Sequence, residues 1–141
     1  MPRKLIIVST CTNNKKYDPD ANCKLDACRR EDPLYAAKEW LERLATSDSP
    51  KHSLKSMYKG SHWKESLRSQ TVATEQGWHP ELWVLSAGLG LLHSDCRICS
   101  YSATFSPGEN SIHNFSWLPE LSLRDRARTW WQYLHRYRAI E

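Results

Sequence analysis

The stretch from Leu82 to Leu92, LWVLSAGLGLL, constrains this chain more than any other. Leu82 to Leu85 is a short apolar run of the length expected of a buried strand. It ends in Ser86-Ala87-Gly88, small at every step, and Gly88 and Gly90 bracket Leu89. A buried strand that runs into small residues brings its backbone close to something. In open α/β sheets the crevice beyond the carboxyl ends of strands is where ligands bind. A strand followed by a flexible turn satisfies the same pattern.

Leu5 to Thr10 (LIIVST) is the second strand candidate. Its unbroken apolar run predicts burial on both faces, hence a central, parallel position. It too ends in hydroxyl residues, followed by Cys11-Thr12-Asn13-Asn14-Lys15-Lys16. Short polar side chains, amides and two lysines at a strand's carboxyl end suit an anion or nucleotide cradle. The same loop also reads as solvated, its asparagines forming turns.

Asp32-Pro33 reads as an N-cap followed by proline at the first helical position, and Leu34, Ala37, Leu41 and Leu44 share one helical face to about Ala45. Gly60-Ser61 reads as a turn in which Ser61 caps a helix from about His62 to Gln76, closed by Gly77. From Ser122 to Arg138, Leu123, Ala127, Trp130, Leu134 and Tyr137 form one stripe, behind a Ser122–Asp125 capping pair. Such a stripe is more often core than ligand site. Strand, polar loop, two helices, strand, glycine-rich turn and helix spell an α/β fold. The expectation is a small two-layer or three-layer sheet with central parallel strands. Further strands are sought between Ile98 and Phe105 and between Ile112 and Trp117.

At 141 residues, a single domain spanning 1–141 is the natural reading. No apolar run reaches membrane-spanning length, and the N-terminal apolar run is too short for a signal-peptide core. A cytoplasmic location with reduced thiols is expected. The net charge of +4 permits a nucleic-acid partner without demanding one.

Five cysteines cannot all pair internally. Cys23 and Cys28, with Cys96 and Cys99, have spacings that could build a four-thiolate structural zinc site. Such a site would order the polar, aperiodic segment from Tyr17 to Asp32. Four unrelated thiols are the alternative.

The opening IIVSTCTNNKK resembles the first strand and Ser/Cys-Lys loop of a family of small α/β domains. Tyr58-Lys59-Gly60-Ser61 resembles that family's tyrosine–glycine turn. Leu85 to Leu92, followed by Ser100-Tyr101-Ser102, is similar to its signature. This is the YaaA-like family, which includes the bacterial peroxide-stress protein related to DNA protection and domains of the DUF6884 type. It is distantly similar to a domain of archaeosine synthase, which acts on a deazaguanine base in transfer RNA. The landmarks run from residue 5 to about residue 105. The family often carries Lys or Tyr where this chain has Gly88-Leu89, and its domain usually continues past the final helix into another strand and helix. A chain ending at Glu141 would then be a shortened version, or a protein partner would complete its sheet.

If the two strands are neighbours, the hydroxyls of Ser9, Thr12 and Ser86 converge with the backbone amides of Ala87, Gly88 and Gly90. Lys15 or Lys16 would neutralise a phosphate or carboxylate, and Tyr58 and Tyr101, beside Gly60 and Ser61, would stack on a base or donate a hydrogen bond. Cys11 is the natural nucleophile candidate, because a thiol near lysine can have a lowered pKa; Ser86 is the second catalytic candidate. No Asp/Glu pair or Cys-His spacing accompanies them. Two classes of function follow. One is an enzyme, or former enzyme, directed at a nucleotide, nucleobase or nucleic acid, in DNA or RNA modification, DNA protection or phage defence. The other is a non-catalytic subunit that binds nucleic acid or protein within a larger assembly, through Arg124, Arg128 or Arg136.

Overall fold

A computed structural model describes residues 3–12, 14–28, 32–117 and 120–138. Asn13 of the polar loop, residues 29–31 of the aperiodic segment and the chain end at Glu141 lie outside the described residues. In chain order the elements are β1 (Arg3–Thr10), α1 (Pro33–Thr46), β2 (Lys51–Ser53), α2 (Leu54–Met57), α3 (Ser61–Glu75), β3 (Trp78–Ser86), β4 (Gly90–His93), β5 (Arg97–Cys99) and α4 (Leu123–Tyr137). Short 3-10 turns occupy Ala21–Cys23, Leu25–Ala27 and Ile112–Asn114.

β1 and β3 run parallel, with Thr10 opposite Leu85. The two apolar runs of the sequence are therefore adjacent, and their carboxyl ends lie side by side. β4 returns antiparallel along the other side of β3, giving a mixed sheet of order β1-β3-β4. β2 and β5 form a separate antiparallel pair. The fold is α/β and its mixed sheet contains a parallel strand pair, as the pattern predicts. Among the described residues no helix is long and apolar enough to cross a membrane.

β1 departs from expectation. It is an edge strand, and β3 is the central one. The Ser9 side packs towards α3, where Ser9 Oγ meets Ser66 Oγ at 2.7 Å. The opposite side leaves Ile6 57% and Val8 53% exposed. An unbroken apolar run in sequence does not distinguish two buried faces from one buried face and one bare one.

The helices begin where their chemistry places them. The Asp32 carboxylate accepts from Leu34 N–H at 2.9 Å, and Pro33 occupies the first turn of α1. α1 buries Ala36, Ala37, Trp40 and Leu44. Ser122 Oγ accepts from Asp125 N–H, and α4 buries Trp130 and Leu134 against α1, while Leu123 at its start is exposed. The cap of α3 is Gly60, at φ +105°, with Ser61 the first helical residue. Glycine takes the cap because that φ is strained for any side-chain-bearing residue. The strand sought after Ile98 reduces to β5, and Ile112–Asn114 is a 3-10 turn. The aperiodic segment is tied down by its backbone: Leu25 N–H donates to the Ser102 carbonyl and Ser102 N–H to that of Cys23.

Candidate functional site

The turn after β3 is built from the inside. Ser86 is fully buried, and its Oγ accepts from the N–H groups of Gly88 and Leu89, each at 3.1 Å. A hydroxyl oxygen has two lone pairs and one proton. With both lone pairs taken, Ser86 must donate its proton to Tyr101 Oη, 2.6 Å away. Tyr101 then donates to Tyr58 Oη at 2.5 Å. The one proton left over belongs to Tyr58, for which no acceptor is found among the described residues.

Two tryptophans clamp the same turn. Trp40 Nε1 of α1 donates to the Gly88 carbonyl and Trp130 Nε1 of α4 to that of Ala87, both at 2.7 Å. Gly88 is glycine because a Cβ there would lie 2.8 Å from the Tyr101 ring and 3.2 Å from Trp40. Gly90, at φ +82°, abuts His135 and Arg138. The small residues thus admit aromatic side chains to the backbone. The amides of Gly88 and Leu89 are already used by Ser86, so they are not a ligand cradle. Nor is Ser86 placed as a nucleophile: it is closed off from solvent and fully committed.

Lys15 and Cys11 stand beside the two tyrosines of this chain. Lys15 Nζ lies 4.5 Å from the centre of the Tyr101 ring and 5.9 Å from that of Tyr58. Burial holds the Lys15 ammonium below the usual lysine pKa, offset in part by the charge of Cys11. Burial also pushes both tyrosines well above the usual phenol range, so the chain stays neutral. Cys11 acts electrostatically on all three groups.

Cys11 also lines an open groove of about 530 Å³. Thr10, Leu85 and Ala87 from the strand ends form its floor, and Ala103, Thr104, Phe105, Ser106 and Trp131 its remaining walls. Beside it, His62 Nε2 lies 3.2 Å from Thr10 Oγ1. The groove stands where the two parallel strands end.

The expected residues divide accordingly. Cys11 and Ala87 line the groove, Tyr58, Tyr101 and Ser86 form the buried assembly behind it, and half-buried Lys15 packs against that assembly. Ser9 faces α3 instead. Thr12 Oγ1 donates to the carbonyls of Asn14 and Lys59 and so knits its own loop. Lys16 is exposed, and Gly60 and Ser61 serve the start of α3. Reading the residues missed Thr10, Phe105, Trp131 and His62. Thr10 was legible from strand alternation, which puts it on the face opposite Ser9; Phe105 and Trp131 carry no local signal.

The cysteines do not gather. Cys23 and Cys99 are buried with their sulfurs 3.6 Å apart. Cys28 is buried elsewhere, its thiol pushed up to about 12 by burial and by Glu39, and Cys96 is exposed. Among the described residues no three His, Cys, Asp or Glu side chains are grouped to hold a metal ion. The four-thiolate zinc set is therefore not assembled there.

No family model, no curated protein and no solved structure matches the chain.

Proposed function

We propose that this chain binds a nucleotide or nucleobase, free or within a nucleic acid, in the groove at the carboxyl ends of β1 and β3. The groove itself carries the reading. Its volume of about 530 Å³ lies within the range of small-molecule sites. Phe105 and Trp131 offer flat apolar surface for a base, and Thr10, Thr104 and Ser106 offer hydroxyls for its polar edge. Lys15, beside Cys11 and without an ion-pair partner among the described residues, supplies positive charge for a phosphate. The resemblance of residues 5–105 to the YaaA-like domains supports the same class of ligand. Cys11 is the candidate for covalent chemistry, because among the described cysteines it lines the groove and its charge acts on Lys15. Among the described residues no acid–base pair accompanies it, and the proposal is accordingly one of binding.

Calorimetric titration with nucleosides, their mono- and triphosphates, and short single-stranded DNA tests it. At least one should bind, and Trp131→Ala should weaken that binding about tenfold, as loss of one base–aromatic stack does. Cys11→Ser should leave binding in place and abolish any turnover. Silence from every ligand overturns the proposal, as does binding that ignores both Trp131→Ala and Phe105→Ala.

A further inference from the structure

The two edges of the sheet are finished differently. On β4, Leu91 N–H donates to His135 Nε2 at 3.1 Å, and Arg138 Nη1 donates to the carbonyls of Leu89 and Leu91 at 2.6 and 2.9 Å. That edge is sealed by side chains from the end of α4. On β1, Cys11 N–H points to β3, where it donates to the Leu85 carbonyl. Backbone groups alternate along a strand, so Ser9, Ile7 and Leu5 also point inward. Lys4, Ile6 and Val8 therefore turn their N–H and C=O groups outward, and no partner for them is found among the described residues. An open row of this kind is a template for another strand.

The surroundings of the open edge fit a copy of itself. Ile6 and Val8 are more than half exposed on one side of β1. On the other side a groove of about 400 Å³ runs between the edge and α3, lined by Leu5, Val72, Ala73 and Trp78 with Glu65 and Arg68. Both cations at the start of β1 are held within the subunit: Arg3 lies 5.6 Å from the Trp78 ring centre, and Lys4 pairs with Glu81 at 3.4 Å. A two-fold axis at Ile7 sets exposed Ile6 of one copy opposite exposed Val8 of the other, so the bare apolar pair of each β1 covers that of its mate, an isologous contact.

We propose that the chain forms a two-fold dimer by antiparallel pairing of β1 with β1 of a second copy. The result is a continuous six-stranded sheet, with the two α3 helices flanking the axis. Outward groups lie on even-numbered residues, so only even–even pairings form ladder bonds. Ile6 opposite Val8 of the second copy, and Lys4 opposite its Thr10, uses residues 4–10. The open edge thereby gains the partner that α4 supplies to β4.

Sedimentation equilibrium on the full chain tests this independently of the ligand groove. Wild type should approach twice its 16.4 kDa mass as concentration rises. Ile6→Lys with Val8→Lys, both at exposed positions, should remain monomeric with an unchanged circular dichroism spectrum. A wild-type monomer up to about 0.3 mM, weaker than most functional interfaces, overturns the proposal. A dimer untouched by Ile6→Lys with Val8→Lys does so equally.

Discussion

The turn that ends β3 has a back and a front, built on opposite plans. At the back, Trp40, Trp130, Ser86, Tyr101 and Tyr58 leave almost no polar group unanswered and no space for a ligand. At the front, Thr10, Cys11, Phe105 and Trp131 surround an open groove. One residue separates them: Ala87 gives its carbonyl to Trp130 and lines the groove with the rest of itself. A rigid wall lets an open groove keep its shape, because the floor cannot collapse into it. Cutting into the wall should therefore cost stability, whereas cutting into the groove should cost binding.

The largest break is Trp40→Ala or Trp130→Ala. Each removes a fully buried indole and leaves a turn carbonyl unpaired, for a loss of about 3–5 kcal/mol in urea denaturation. Trp131→Ala, one residue along α4 but in the groove, should cost well under half as much. Equal losses at Trp130 and Trp131 would erase the distinction between wall and groove. Gly88→Ala is the next in size. Its methyl group would press on Tyr101 and Trp40, both fully buried, at about 1–3 kcal/mol. Tyr101→Phe belongs to the same range: it strands the Ser86 proton in a buried site, costing about 1–3 kcal/mol. Adding Ser86→Ala to Tyr101→Phe should cost less than the sum of the two single changes, since the chain is already cut. A strictly additive pair would show that the hydrogen bonds are not coupled.

The wall and the groove were not equally legible in the sequence. Leu5–Thr10 and Leu82–Leu85 announce strands by apolar content, and their parallel pairing follows from the helices between them. Asp32-Pro33 and Ser122 mark helix starts through local capping, which needs no tertiary information. The glycine-rich turn signals close approach correctly, but glycine does not say what approaches. Here tryptophan and tyrosine side chains occupy the space a ligand would need. Phe105 and Trp131 reach the groove from elements far apart in the chain, a placement set by the packing of α4 and thus invisible to periodicity. The edge position of β1 was hidden for a related reason: which strand is bare depends on what covers it.

Lys15 sits at the seam between the two regions and gives the smallest but most diagnostic effect. Its folded pKa is depressed, chiefly by burial, so the folded state disfavours the ammonium relative to the unfolded chain. Below the folded pKa the full penalty is present. As pH rises through the folded pKa toward the ordinary 10.5, the folded chain sheds its proton first and the penalty is relieved. Lys15→Met should then be at least as stable as wild type at pH 7, with the gap narrowing by pH 10. The thiols of Cys99 and Cys28, raised by burial to about 11 and about 12, act in the opposite sense. Their stabilisation is lost as pH climbs above 9, but both chains share that loss and the difference cancels it. Urea denaturation of both proteins across this pH range, under reducing conditions, reads the result directly. A gap that stays constant or widens would mean that Lys15 belongs to the satisfied wall. A narrowing gap, combined with loss of phosphate-bearing ligands in Lys15→Met, places its charge at the service of the groove.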